Sequence, residues 1–125
     1  MIMEPTLAQV IDWAKAAGQI ARDGFYKKHT IAFKGETDLV TEVDHACEKL
    51  IMDGILGGFP DHAINTEETG VVKGSADHCW HIDPLDGTIN YSHQIPIYAI
   101  SIAYQAFGKL QLGVVYDPSH DECFA

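Results

Sequence analysis

The stretch Asp83-Pro84-Leu85-Asp86-Gly87 constrains the fold of this chain more than any other part of the sequence. The apolar residues before it are typical of a strand, so we expect Asp83 to leave the end of a strand. Pro84 fixes its own backbone angle and has no N–H donor, and Asp86-Gly87 is typical of a tight turn. The two carboxylates are therefore expected to point to the same side of one short bend.

Two carboxylates held close together repel each other unless a cation lies between them. Oxygen ligands at a strand end suit a hard cation, Mg²⁺ first and Ca²⁺ or Mn²⁺ next. The backbone N–H groups of Gly87, Thr88 and Ile89 are placed to face an anion, as at the start of a helix. A cation site beside an anion site indicates phosphate chemistry. The bare pattern Asp-x-x-Asp-Gly is equally typical of an acidic β-turn that only ends a strand.

Length and charge limit the possible classes of protein. The 125 residues correspond to one domain or less, and 46% of them are apolar, which is ample for a core. A formal net charge of −10 disfavours nucleic acid and anionic membrane surfaces as partners. The start of the chain has no secretory signal pattern, so we expect an unprocessed cytoplasmic protein. Cys47, Cys79 and Cys123 show no CxxC spacing and are expected to be reduced thiols.

Apolar periodicity predicts two helices and several strands. The first helix is expected over residues 5–28 with Pro5 in its first turn. The second is expected over residues 39–56, with Thr41 and Asp44 as a capping box and Gly57-Gly58 as its end. Strands are expected over residues 31–33, 63–65, 80–82, 97–107, 110–116 and 122–125, with a hairpin turn at residues 108–109. Because residues 97–107 are apolar on both faces, we expect a sheet covered on both sides.

Other polar residues have two interpretations each. Asp44 is either an ordinary helix-start acid or a site residue, and Lys34 is either a surface lysine or part of a mobile lid over phosphate. Glu67-Glu68 form a second acid pair at a second strand end, or simply a solvated loop. His78, Cys79 and His81 have the chemistry of a zinc site, but strand alternation splits them between two faces.

Four segments in order resemble the inositol monophosphatase family of Mg²⁺-dependent, lithium-sensitive phosphatases. They are residues 38–44 (Asp-Leu-Val-Thr-Glu-Val-Asp), Glu67-Glu68, residues 80–91 (Trp-His-Ile-Asp-Pro-Leu-Asp-Gly-Thr-Ile-Asn-Tyr) and residues 113–118 (Gly-Val-Val-Tyr-Asp-Pro). The resemblance runs from about Lys34 to Ala125. It implies an α+β fold, the layered α/β sandwich of the inositol monophosphatase and fructose-1,6-bisphosphatase type, with two helices packed on a mainly antiparallel sheet.

The resemblance also assigns metal ligands. Glu67 resembles the glutamate that binds the first metal and helps to activate water. Asp83 resembles the aspartate that bridges two metals. The carbonyl of Leu85 and the carboxylate of Asp86 match ligands of the first and second metal. Two or three Mg²⁺ ions are therefore expected, with Li⁺ as a possible inhibitor.

The remaining assignments concern water, phosphate and the surroundings of the metals. Thr88 matches the threonine that orients the attacking water together with the glutamate, and Asp86, Gly87 and Thr88 match residues that bind phosphate or substrate. Asp44 matches a catalytic acid near the third metal and the water network, Glu68 an acid behind the ligands, and Lys34 the lysine of the mobile loop. Tyr91 stands where phenylalanine is common.

The expected function is hydrolysis of inositol monophosphate, or of a related sugar or polyol phosphate, by metal-activated water. A nucleotide 3′-phosphate and fructose 1,6-bisphosphate are alternative substrates. Family members are much longer and are usually homodimers, and their second half supplies another metal-binding aspartate. Residues 1–125 are therefore expected to be the N-terminal metal-binding half of the fold, a fragment. The alternative is a catalytically incomplete remnant that binds a metal or a protein partner.

Overall fold

The computed structural model describes residues 4–27, 36–66, 70–72 and 74–125. These residues form three helices and six strands, in the order α1 (Leu7–Lys27), α2 (Glu36–Gly58), β1 (His62–Thr66), β2 (Gly70–Val72), β3 (Ser75–Asp86), α3 (Thr88–Ser92), β4 (Ala99–Ala106), β5 (Lys109–Asp117) and β6 (Glu122–Phe124). The strands make one sheet in the order β2-β1-β3-β4-β5-β6. Only β1 and β3 are parallel among these neighbours. The predicted α+β fold with a mainly antiparallel sheet is confirmed.

Helix α1 begins at a capping box formed by Thr6 and Gln9. The Gln9 backbone N–H donates to the Thr6 hydroxyl (3.2 Å), and the Thr6 N–H donates to the Gln9 side-chain oxygen (2.9 Å). Pro5 therefore precedes the cap and does not lie in the first turn as predicted. The apolar stripe expected for this helix is buried at Val10, Ala14, Ala17, Ala21 and Phe25, whereas Leu7, which the same spacing includes, is 39% exposed.

Helix α2 begins at Glu36, earlier than the sequence predicted. Thr41 and Asp44 therefore lie inside the helix, and their assignment as a capping box is wrong, because a cap serves the unpaired N–H groups of the first turn. The predicted end at Gly57-Gly58 is confirmed. The buried stripe again follows helical spacing, at Val43, Cys47, Ile51 and Ile55.

The strands agree with the predictions except near β3. The strand predicted over residues 80–82 is longer, since β3 begins at Ser75, where it pairs with β1, and also pairs with β4 from His78 onward. The hairpin turn is Phe107-Gly108 and not residues 108–109, since Lys109 already pairs with Ala106. The strand predicted over residues 31–33 lies outside the described residues.

Both long helices pack on one face of the sheet. The apolar core there includes Trp13 against Trp80, with ring centroids 5.7 Å apart. The opposite face carries side chains that solvent reaches, including Asn65, His81 and Val115. The second covering layer expected from the apolar run of β4 is not formed by the described residues. None of the described helices has the length and apolar character needed to span a membrane.

Candidate metal and phosphate site

The candidate site lies where β3 departs from regular pairing with β4. Asp83 pairs with Ser101 and Asp86 pairs with Ala99, so β3 has one residue more than β4 between these two pairs. This is a β-bulge. The strand thus continues to Asp86 and does not end at Asp83 as predicted.

The bulge brings the two acids to one face. In a regular strand, residues three apart point to opposite faces. Ser101 and Ala99 are two apart and share a face, and directly paired residues lie on the same side of a sheet. The register therefore places Asp83 and Asp86 on the same face, while Leu85 between them is 2% exposed.

Gly87 turns the chain from β3 into α3. Its φ of 86° and ψ of 37° are left-handed, a conformation that glycine adopts without a steric penalty. A Cβ atom here would lie 2.8 Å from the carbonyl oxygen of Ile97. The carbonyl of Gly87 accepts a hydrogen bond from the Tyr91 N–H (2.9 Å). The backbone at Gly87 and Thr88 is thus fixed directly after the paired acids.

Tyr91 anchors the bend to the core. Its side chain is fully buried, and its hydroxyl donates to the Ala21 carbonyl of α1 over 2.8 Å. Burial is the main cause that raises the pKa of this phenol, with smaller contributions from Tyr98 and Cys47. Tyr91 therefore stays protonated and serves as a structural donor.

Strand β1 ends beside the same bend. Thr66 pairs in parallel with Ile82, the residue before Asp83. The carboxyl ends of the parallel strands β1 and β3 thus meet at one edge of the sheet, which is where ligands bind in open α/β sheets. A cavity of about 340 Å³ adjoins this edge, lined by Asn65, Thr66, His81, Ile82, Asp83, Ser101 and Ala103.

Two acids of α2 are buried behind β1. Asp44 is 6% exposed and Glu48 is 3% exposed, and they lie one helical turn apart on the same side of α2. The Thr66 hydroxyl donates to Glu48 Oε1 over 3.1 Å. Burial, followed by the nearby Asp44 carboxylate, raises the pKa of the Cys47 thiol to about 12. Cys47 therefore remains a protonated core residue and not a nucleophile.

The donor chemistry at the bend fits a hard cation. Asp83, Asp86 and the carbonyl of Leu85 offer only oxygen atoms, which suit Mg²⁺, Ca²⁺ or Mn²⁺. Within the described ranges, no three His, Cys, Asp or Glu side chains converge closely enough to hold a metal ion. Lys34, Glu67 and Glu68 lie outside the described residues. The register thus places Asp83 and Asp86 on one face of the sheet, and the predicted glutamate ligand stays a prediction.

The histidines near β3 make other contacts. The His78 ring nitrogen Nδ1 lies 2.6 Å from the Tyr104 hydroxyl. His81 is on the opposite face, between the amides of Asn65 (3.4 Å) and Gln105 (3.2 Å). The alternation of β3 thus separates the residues considered for zinc.

Sequence reasoning missed Glu48. Its signal was a second acid four residues after Asp44, in a stripe that is otherwise apolar at Val43, Cys47 and Ile51. An acid in the buried stripe of a helix needs a polar partner inside the protein. The partner, Thr66, is distant in sequence and was not identifiable from the periodicity of α2.

The sequence of this chain is similar to those of known proteins. A model of the inositol monophosphatase family matches residues 2–125. The chain belongs to the inositol monophosphatase family. Inositol monophosphatase 1 of Solanum lycopersicum is 42% identical over 127 residues, covering 98% of this chain and 46% of that protein. Nus factor SuhB of Escherichia coli (strain K12) is 39% identical over 125 residues, covering 98% of this chain and 47% of that protein.

The fold of the family is shared as well. The staphylococcal inositol monophosphatase SaIMPase-II, solved with inositol monophosphate bound, superposes with a TM-score of 0.75 at 30% sequence identity. The match covers 94% of this chain and 42% of that structure. The chain therefore spans about half the length of the inositol monophosphatase relatives it matches.

Proposed function

We propose that this chain carries the metal-binding half of a Mg²⁺-dependent phosphomonoesterase site. The proposed reaction is hydrolysis of inositol monophosphate, or of a related sugar or polyol phosphate, by attack of water. The observation that carries the proposal is the bulge of β3, whose register puts Asp83 and Asp86 on one face. Family membership supports the same chemistry.

In this proposal, carboxylate and carbonyl oxygens hold two or three Mg²⁺ ions. The ligands are Glu67, Asp83, Asp86 and the Leu85 carbonyl, with Asp44 and Glu68 behind them. Bound Mg²⁺ supplies positive charge to the phosphate and lowers the pKa of water. Binding of Li⁺ in place of Mg²⁺ at these oxygens would inhibit.

Residues after the bulge would bind and orient the reactants. The backbone N–H groups of Gly87 and Thr88 would donate to phosphate oxygens, since both follow the left-handed turn into α3. The Thr88 hydroxyl and the Glu67 carboxylate would hold the attacking water, and the Glu67 carboxylate would take up its proton. Lys34 would contact the phosphate.

The proposal extends to the substrate class, the oligomeric state and the compartment. The substrate is a small phosphorylated molecule, because the net charge of −10 disfavours nucleic acid. A homodimer in the cytoplasm is the proposed state. The alternative function is a catalytically incomplete chain that binds a metal or a protein partner.

The test of this function is phosphate release from inositol 1-phosphate at millimolar Mg²⁺, with Asp83→Asn and Asp77→Asn compared. Asp77 is an exposed aspartate of the same strand, so it controls for the loss of one charge. We expect activity in the wild type and in Asp77→Asn, and loss in Asp83→Asn. Equal activity in all three chains would contradict the site, and no activity in any would favour the incomplete chain.

The substrate class is tested in the same assay. SaIMPase-II has also been solved with 2′-AMP bound, at 34% identity to this chain. Rates on inositol 1-phosphate, a nucleotide 3′-phosphate, 2′-AMP and fructose 1,6-bisphosphate would therefore be compared. The proposal expects the highest kcat/KM for the polyol phosphate, and a preference for a nucleotide would contradict it.

A further inference from the structure

We propose that Glu48 is a positioning residue of the metal site, and that it acts through its hydrogen bond with Thr66. The inference rests on the proposed function, because it concerns the same cation site. Glu48 Oε1 accepts from the Thr66 hydroxyl over 3.1 Å, and both residues are 3% exposed.

The location of Glu48 calls for an explanation beyond packing. Its neighbours on the buried side of α2 are Val43, Cys47 and Ile51, which contribute apolar surface to the core, and Asp44, a second buried acid one turn earlier. A carboxyl group removed from water costs free energy unless it is hydrogen-bonded. An apolar side chain of similar volume would fill this place without that cost. A carboxylate here therefore has a role in holding its partner.

That partner stands directly beside the proposed ligands. Thr66 pairs with Ile82, and the next residue along β3 is Asp83. Thr66 and Asp83 also line the same cavity of about 340 Å³. In the sequence, Thr66 is followed at once by Glu67. Fixing Thr66 therefore fixes the end of the strand from which one proposed ligand follows and beside which another lies.

Hydrogen-bonded groups behind metal ligands commonly set cation affinity. Such partners restrict the ligands to one orientation, and removing one typically costs about 10-fold to 100-fold in affinity. Glu48 acts one bond further from the cation, because it holds Thr66 and not a proposed ligand itself. It is buried, placed on a long helix and bonded to the end of β1. A simple tie between α2 and β1 would instead change stability and leave the affinity of the folded protein unchanged.

Two matched pairs of variants separate these roles. Thr66→Val removes the hydroxyl at nearly constant shape, and Thr66→Ser keeps it. Glu48→Met removes the acceptor at similar volume, and Glu48→Gln keeps an oxygen acceptor. The probe is Mn²⁺ alone, a cation that oxygen ligands also suit, and the readout is the Kd from electron paramagnetic resonance titration. Far-UV circular dichroism and thermal unfolding of each variant confirm that the folded protein is being titrated.

We expect Thr66→Val and Glu48→Met each to raise the Kd for Mn²⁺ by about fivefold to tenfold, at or below the lower end of the range for a group bonded to a ligand itself. Thr66→Ser and Glu48→Gln should stay within about twofold of the wild type. The double variant Glu48→Met/Thr66→Val should bind no more weakly than the weaker single variant, because both remove one interaction. If one of the pairs fails to fold, the other pair still gives the comparison.

Asp83→Asn separates failure of this inference from failure of the proposed function. Weaker Mn²⁺ binding in Asp83→Asn, with unchanged Kd values in Thr66→Val and Glu48→Met, would overturn the role of Glu48 and leave the metal site standing. Unchanged binding in Asp83→Asn would overturn the metal site, and the role of Glu48 with it.

Discussion

At the scale of single residues, Gly87 shows how backbone geometry limits the sequence at the bend. In Gly87→Ala, the alanine would have to adopt a left-handed φ of 86°, and its Cβ would lie 2.8 Å from the Ile97 carbonyl oxygen. Gly108 is a matched control, because its φ is 79° and nothing lies within 4 Å of its Cβ position. Gly108→Ala should therefore lose only about 1–2 kcal/mol of unfolding free energy, from the backbone conformation.

Gly87→Ala should lose more than Gly108→Ala, because the carbonyl of Ile97 must also move. Urea unfolding of the two variants measures the difference. Equal losses would mean that the segment at Ile97 moves aside freely and that the bend is not tightly packed.

His62 gives the chain a pH-dependent stability. Its Nδ1 accepts from the Trp80 indole N–H (3.0 Å), and its ring stacks on His78 at 4.6 Å and on Phe59 at 5.0 Å. Burial lowers the pKa of His62 below its usual 6.5, His78 lowers it further, and Asp61 acts in the opposite direction. In the folded state His62 is thus neutral at pH values where the unfolded chain binds a proton.

The sign of the effect follows from this difference. The contribution of His62 to stability is complete above the unfolded pKa of 6.5 and is lost as the pH falls below it toward the lower folded pKa. Urea unfolding at about pH 7.5 and about pH 5.5 should show a lower free energy at the acidic pH. His62→Phe should show a smaller difference between the two pH values, and an unchanged difference would assign the effect to other groups.

At the scale of elements, Tyr91 joins the short helix α3 to α1. Tyr91→Phe keeps the edge-to-face contact with Phe25, at a centroid distance of 5.6 Å, and removes the hydrogen bond to Ala21. The expected loss of unfolding free energy is about 1 kcal/mol. Tyr91→Leu, which also removes the ring, should lose more. A gain in stability from Tyr91→Phe would show that the hydroxyl is poorly accommodated in the core.

The helices and the β4–β5 hairpin were predictable because their signals are local. Helical apolar spacing and a two-strand pattern around a glycine turn need only neighbouring residues. The start of β3 at Ser75 was not predictable, since it depends on pairing with β1 and β4. Polar residues such as Asp77 and His78 are part of the strand because their backbone groups pair with β4 and the hairpin turn that follows it.

The site was predictable only in part. The sequence around Asp83 and Asp86 predicted that both carboxylates lie on the same side of a bend. The predicted cause was a tight turn. The bulge that produces it is set by register against Ser101 and Ala99, which lie in another strand. Glu48 was missed for a related reason, because its bond to Thr66 forms only when α2 packs on β1.

At the scale of the whole molecule, two isoleucines near the bend remain exposed. Ile89 is 75% exposed and Ile97 is 64% exposed, and the Asn90 side chain joins their segments by donating to the Ile97 carbonyl (3.1 Å). Contiguous exposed apolar surface is typical of contact sites, and we propose these two isoleucines as part of the contact of the proposed homodimer. We expect Ile97→Asp to weaken self-association in analytical ultracentrifugation.

Leu110→Asp is the control for that experiment. Leu110 is 69% exposed at the start of β5. Leu110→Asp therefore also replaces an exposed aliphatic side chain with a carboxylate, but away from the bend. Equal effects of the two substitutions, or a monomeric wild type, would contradict a homodimer contact at this surface.

The central claim is that the acids of the β3 bulge hold a divalent cation. Nuclear magnetic resonance of the ¹⁵N-labelled chain with substoichiometric Mn²⁺ tests it directly, because the paramagnetic ion broadens the amide signals nearest to it. We predict that the amides of Asp83 and of residues 85–88 broaden first and that Asp83→Asn removes this effect. Broadening centred on another acidic segment, such as Asp117 to Asp121, or no selective broadening at all, would contradict the account.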